Sequence, residues 1–326
     1  MKGFVELERK DASLKTDLKT SLKTPSTRRF AQDHADRLLG HLAEQIARAA
    51  KTAGADEVHD LRVAIRRFKA VLKALNPCFP GREVRKIGVE LRRIMSLAGE
   101  VRDRDIGVEL LIKVSGPAVA PLVVRFETER VAAAKNLTDA LEVLVKSRAS
   151  STWNEMLHKP RKRVRAEQDF CGCPVDVTAT RLLPEIAEKH YKRGGRMADG
   201  ETSARKLHRF RIVTKKFRYT LDLFAPLYGK SVETLVGELK HIQTLLGNLN
   251  DYATIRRMLR RMTTQNEDDA QAGEEVGEEI VKKRREKAAE FRDYWGKTFT
   301  GAKATQWISD LQRLARNGKT KTGLRP

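Results

Sequence analysis

The chain has 326 residues, enough to bury a substantial core as one large or two ordinary domains. Lysine and arginine number 65 against 43 acidic residues, a formal net charge of +22, which narrows the partners to polyanions: nucleic acid, an anionic membrane surface or a phosphate chain. Three scattered cysteines make neither a disulfide framework nor a four-ligand zinc site, and no apolar run approaches the roughly 18 residues of a membrane span. The start, MKGFVELERKD, lacks the apolar core of a signal peptide, so a cytoplasmic setting with no metal, no cofactor and no membrane is expected.

In chain order, residues 1–25 repeat Leu-Lys-Thr and read as a basic, flexible arm. Apolar residues at a 3.6-residue period then predict helices over 27–51, 57–76, 82–98, 103–113, 117–147 and 150–159. Beyond them the same pattern predicts 178–193, 204–224, 231–247, 251–263, 274–296 and 303–316. Breaks are expected at Gly54, Pro77 with Pro80 and Gly81, Gly116 with Pro117, the CGCP stretch from Cys171, Gly194 with Gly195, and Pro226. His158–Arg165 reads as an exposed basic connector, and the acidic Gln265–Glu279 as a solvated linker. No alternating strand pattern stands out, and the fold class is all-α.

The chain also repeats itself. At one constant offset His59 pairs with His208, Arg62 with Arg211, Arg66 with Lys215, Phe68 with Phe217, Leu72 with Leu221 and Pro77 with Pro226. LAGEVRD (Leu97–Asp103) meets LLGNLND (Leu245–Asp251) one deletion later, and Trp153 and Trp307 hold matching places. The expected architecture is two similar helical bundles, 26–170 and 178–317. A linker at 171–177 joins them, a basic tail occupies 318–326, and a pseudo-twofold leaves a basic surface or pore between them.

The repeated helices carry the chemistry. On a helical wheel His59, Arg62, Arg66, Lys69 and Lys73 fall within an arc of roughly 80°, opposite Leu61, Ile65, Phe68 and Leu72. His208, Arg211, Lys215 and Arg218 repeat the arrangement, with Asp222 where Lys73 stood. An ordinary solvated face mixes signs, because oppositely charged side chains four apart stabilise it. Here Asp60 is the only acid from 59 to 73, which points to an anion-binding face. Arginine bonds two phosphate oxygens with a planar fork, lysine supplies a mobile charge, and histidine gains a proton beside a polyphosphate. Asp56 is expected to cap the first helix, placing His59 in its first turn, and Ser203 to cap the second. Arg92, Arg93, Arg102, Lys240, His241, Arg193 and Arg196 extend the basic surface, while His34 and His41 read as ordinary packing or solvent positions.

His59, Arg62, Val63, Arg66, Arg67 and Lys69 together resemble the H-x-x-R-V-x-x-R-R-x-[RK] motif of the CHAD family. His208, Arg211, Lys215, Lys216 and Arg218 resemble a second copy, with Ile212 in place of valine. LAGEVRDRDI is similar to the family's L-G-x-x-R-D-x-D-[VI] segment through Gly99, Arg102, Asp103 and Asp105. In the second copy Gly247 and Asp251 remain, but Asn250 replaces the arginine. The resemblance spans about 26–317. It implies two bundles in pseudo-twofold relation, a basic central surface and binding of inorganic polyphosphate, with association to polyphosphate granules and their proteins.

Glu6, Glu8 and Lys10 match E-x-E-x-K, which opens the CYTH family of triphosphate-hydrolysing tunnel enzymes. Too few residues follow before the first bundle to close such a barrel, and H-E-x-x-H, G-x-S-x-G and a phosphate loop are absent, so no enzyme is expected. Nucleic acid is the alternative ligand, since it also offers a phosphate backbone. Aromatics are only 6% of the chain and are hardly interleaved with the basic faces, which weighs against base stacking.

Overall fold

The computed structural model describes residues 24–115, 119–160, 162–198, 203–263, 270–299 and 301–319. The arm with its Glu6, Glu8 and Lys10 lies almost wholly outside them, as does most of the tail. The described residues are all-α, apart from one isolated antiparallel bridge between Ser26 and Pro174. Their helices are α1 (Thr27–Lys51), α2 (Ala55–Ala74), α3 (Gly81–Ser115), α4 (Ala120–Lys146), α5 (Ala149–His158), α6 (Arg165–Gly172), α7 (Val175–Ala198), α8 (Ala204–Tyr228), α9 (Glu233–Thr263), α10 (Ala270–Thr298) and α11 (Gly301–Lys319). Short 3-10 turns, Asn76–Cys78 and Gly229–Val232, follow α2 and α8. No helix of the described residues is long and apolar enough to cross a membrane.

The helices form where the period-3.6 pattern places them, but several expected breaks lie inside continuous helices. The helices expected at 82–98 and 103–113 are one, α3. Its middle is pinned to α4: Arg130 Nε donates to Asp105 at 2.7 Å and Arg104 Nη2 to Glu129 at 3.1 Å. Arg130 also donates to the carbonyl of Ala53 at 2.7 Å, tying this pair to the turn before α2. The helices expected at 231–247 and 251–263 likewise run together as α9. Pro226 falls in the last turn of α8, where it forgoes the hydrogen bond to the Asp222 carbonyl, yet the helix continues to Tyr228.

Other corrections concern the connections. Part of the expected basic connector and the segment after it form α6, and the expected linker 171–177 shrinks to Cys173–Pro174 between two helices. The main chain there is not free: Thr27 N–H donates to the Cys173 carbonyl at 2.8 Å and Val175 N–H to the Pro25 carbonyl at 3.1 Å. From Ala270 onward the expected acidic linker is helical, because Val276 and Ile280 give it a buried apolar edge.

Among the described residues two buried clusters hold the helices together. The larger runs from Phe30 to Leu311 and draws on both sequence halves. The smaller joins Leu110, Leu111 and Phe126 of α3 and α4 to Ile255, Leu259, Val276 and Ile280 of α9 and α10. Helices paired by the repeat touch directly, α2 on α8 and α3 on α9.

KHYKRGGR, read as a basic cluster with a glycine break, is instead split by the helix it belongs to. His190 is fully enclosed, with ring centroids 5.1 Å from Phe210 and 5.3 Å from both Phe217 and Trp295. Burial pushes its pKa down to about 3, so it is neutral. Thr214 gives its hydroxyl hydrogen to the Phe210 carbonyl, so His190 Nε2, 3.1 Å from that hydroxyl, is the donor. Gly194 lies inside α7, and Trp295 leaves room for nothing larger: a Cβ there would fall 1.9 Å from the indole ring. Gly194→Ala is therefore expected to lower unfolding stability by about 3 kcal/mol, the upper range for overpacking. Gly195 faces open space, and Gly195→Ala should raise stability by about 0.5–1 kcal/mol through helix propensity. Urea unfolding of the two variants beside the parent checks both signs.

Candidate functional site

The apolar sides of α2 and α8 decide where their cations go. Val58, Leu61, Ala64, Ile65, Phe68, Val71 and Leu72 are buried along α2, and Leu207, Phe210, Thr214, Phe217, Leu221 and Phe224 along α8. Gly54, not Asp56, caps α2, so His59 lies past the first turn and gains nothing from free N–H groups there. Ser203 caps α8 as expected, its side chain accepting from the Lys206 N–H. His59 and His208 thus stand equally far into their helices.

Where α2 meets α8, Arg62 and Arg66 face Arg211 and Lys215. Two carboxylates oppose these four cations, Asp103 from α3 and Asp251 from α9. Burial, reinforced by Arg66, pulls the Arg62 guanidinium down to about 10. Burial, then Arg211, Arg66 and Arg62, pulls the Lys215 amine to about 7. Burial raises the Asp103 carboxyl, and Asp251 adds to that shift while Arg62 opposes it. His59, on the exposed side of α2, is held below its ordinary value by partial desolvation and then by Arg66 and Arg102. The Nε of Arg211 is buried without a hydrogen-bond partner. The cluster leaves one buried donor unused and brings like charges together out of water, an imbalance that an anion would relieve.

Three residues that the motif pattern did not single out as site residues shape the cluster. Tyr219, only 8% exposed, accepts from Arg66 Nε at 3.0 Å, and the Arg218 guanidinium lies 4.6 Å from its ring centroid. It joins one motif helix to the other. Gly99 lets Arg62 lie along α3: Nη1 would be 3.1 Å from an added Cβ and donates weakly to the Met95 carbonyl at 3.5 Å. Asn250, standing where the first copy has Arg102, accepts from His208 Nδ1 at 2.6 Å. The equivalent Gly247 meets nothing, so the two copies are built differently in detail.

The remaining predicted residues fall into separate groups. Lys69 lies near Arg92 and Lys73, and Lys73 in turn near Lys216, which Lys189 also approaches. These extend the cationic surface from α3 across α2 to α8 and α7. Arg67, Arg218 and Lys240 gather instead around Asp222, with Arg218 Nε 3.6 Å from its carboxylate, so this trio is partly compensated. Arg102 faces the central cluster but also lies 3.6 Å from Glu109. Arg93 is taken by Glu90 at 2.8 Å, and the His241 ring lies against Tyr294 with centroids 4.2 Å apart. Neither belongs with the central cluster. Arg193 and Arg196 are exposed on α7, and no described contact joins them to it. His34 packs on Phe30 and His41 lies 3.7 Å from Glu44, the ordinary roles expected of them. Among the described residues no group of three or more His, Cys, Asp or Glu is placed to hold a metal ion.

Lys215 makes the stability of the folded chain depend on pH. Its folded pKa of about 7 lies below the ordinary 10.5, so between these values the unfolded chain holds a proton that the folded one lacks. This term therefore raises stability as pH climbs from about 7 towards 10.5. Lys215→Met should be stabilising at pH 7, and its advantage over the parent should shrink by pH 10. Tyr219→Phe should cost about 1 kcal/mol through loss of the Arg66 hydrogen bond. Denaturant melts at several pH values check both; an advantage of Lys215→Met that does not change with pH would contradict the assignment.

The fold and site can be set beside known proteins. The plant CHAD domain crystal structure from Ricinus communis is similar over 85% of this chain and 93% of its own, with a TM-score of 0.71 and 18% sequence identity. PptA from Streptomyces chartreusis is similar over 86% of this chain and all of its own, with a TM-score of 0.60 and 12% identity. At these identities the likeness is one of fold. No curated protein matches the chain. The CHAD domain profile matches residues 31–260, a span that contains both motif helices and their Asp103 and Asp251 partners, and the chain belongs to the CHAD domain family.

Proposed function

We propose that this protein binds inorganic polyphosphate without turning it over, through the cationic surface centred on the contact between α2 and α8. The observation that carries this reading is the meeting of Arg62 and Arg66 with Arg211 and Lys215, four cations opposed by two carboxylates. Like charges brought together out of water are unfavourable, and a polyanion lying along them reverses the sign of that term. Two arginine-rich faces also suit a chain of phosphates, because each guanidinium can grip two oxygens of one phosphate. On this reading the sequence repeat is a pseudo-twofold pair of half-sites sharing one ligand. The Lys69, Lys73, Lys216 and Arg92 group extends the track beyond the centre, and association with polyphosphate granules follows from the same affinity.

The test is titration with polyphosphates of defined length, with nucleic acid at equal phosphate concentration as competitor. Affinity should grow with chain length, fall steeply with salt and survive chelation of divalent ions. Arg62→Ala with Arg66→Ala, and Arg211→Ala with Lys215→Ala, should each weaken long-chain binding about a hundredfold or more, at roughly 1.5–3 kcal/mol per charge-assisted contact. Circular dichroism should stay helical, since the apolar faces are untouched. Tighter binding of duplex or single-stranded nucleic acid would favour that ligand instead, and metal-dependent phosphate release lost in Glu8→Ala would return the chain to enzymes.

Proton uptake gives a second check. Polyphosphate should raise the Lys215 pKa from about 7, so above that pH binding takes up a proton and affinity declines as pH rises. Lys215→Arg, which cannot titrate there, should flatten the decline between pH 7 and 9 in the same titrations.

A further inference from the structure

The third chemical feature of the sequence, its cysteines, is left unused by anion binding. Cys78 and Cys171 are 93 residues apart in sequence, yet their sulfurs lie 2.8 Å from each other. Both side chains are buried, at 1% and 0% exposure. Cys78 closes the 3-10 turn after α2, Cys171 sits near the end of α6, and these two elements pack together. The junction is fastened on both sides. Arg163 Nη2 donates to the Cys78 carbonyl at 3.0 Å, and the Thr27 N–H and hydroxyl donate to the Cys173 carbonyl at 2.8 and 2.9 Å. A disulfide bond is about 2.05 Å long, so the sulfurs need to close by only ~0.8 Å.

We propose that Cys78 and Cys171 are a disulfide-forming pair, a covalent site that staples the turn after α2 to the segment leading into α7. In the reaction each thiol gives up its hydrogen and one sulfur–sulfur bond forms. The two electrons and two protons pass to an oxidant: hydrogen peroxide, which is reduced to two waters, or a second disulfide, which is reduced to two thiols. Burial, and then the neighbouring Cys171 sulfur, push the Cys78 thiol above its ordinary pKa, so little thiolate is present in the folded chain. Oxidation of the folded protein is accordingly slow, and the bond forms fastest while the chain folds, before the junction closes. Once formed, it is shielded from attacking thiolates by the same burial. Cys173, half-buried two residues beyond Cys171, is the thiol left over.

The experiment uses the full chain, refolded once with reduced glutathione and once with glutathione disulfide. Remaining thiols are alkylated in denaturant, and the protein is digested and mapped by mass spectrometry. After oxidative refolding the Cys78 and Cys171 peptides should be recovered joined, lighter by two hydrogens than their sum and separated by a reductant, with Cys173 alkylated. The oxidised protein should melt about 5 °C or more above the reduced one, because the cross-link restricts the unfolded chain. Cys173→Ser should keep this difference and Cys78→Ala should abolish it. The proposal is overturned if Cys78 and Cys171 are both recovered alkylated, or if the bond formed joins Cys171 to Cys173 or two chains through Cys173. The peptide map of the parent sequence decides this even if Cys78→Ala does not fold.

Discussion

The constraint on which the rest of the structure depends is the crowding of Arg62, Arg66, Arg211 and Lys215 where α2 crosses α8. Nothing in helix propensity or core packing calls for four cations to meet at a helix–helix contact. They are held there because the same helices bury Phe68, Leu72, Phe217 and Leu221 on their other sides, and that apolar burial fixes how the cationic sides must face. The depressed pKa values of Arg62 and Lys215 are the electrostatic mark of this arrangement. Asp103 and Asp251 relieve it only in part, and the Asp103 carboxyl is itself raised by its burial and by Asp251.

Much of the surrounding architecture serves to keep that crowded region in one geometry. Tyr219 links Arg66 to the opposite helix, and Gly99 clears the space in which the Arg62 guanidinium lies. Asp105, a residue of the same motif segment, acts elsewhere. Together with Arg130 it pins α3 to α4 and, through the Ala53 carbonyl, to the start of α2. The motif therefore mixes residues that face the cationic cluster with residues that hold its scaffold, and sequence spacing alone does not separate the two.

Charge count is likewise a poor guide to which cations are available. Arg67, Arg218 and Lys240 share Asp222, and Arg93 is paired with Glu90, whereas Lys69 lies beside Arg92 and Lys73, and Lys216 beside Lys73 and Lys189 with Glu185 offsetting them in part. The second set contributes more to the unfavourable self-energy that a polyanion would relieve. The Asp222 substitution, visible in sequence as a break in the repeat, is thus the point at which the basic surface becomes partly compensated.

The sequence by itself determined the helices, the side of each that is apolar, the repeat of His59 to Phe68 as His208 to Phe217, and the segregation of cations on α2 and α8. These are local properties, set by residues within a few turns of one another along one helix. Only the tertiary structure decided why glycine stands at 99 and 194, since each leaves room for a side chain far along the chain, Arg62 in one case and Trp295 in the other. The same holds for the pairing of Cys78 with Cys171, the capture of His208 by Asn250, and the sorting of free from compensated cations. Each depends on which remote residue arrives within a few ångströms, and helical periodicity carries no record of that distance.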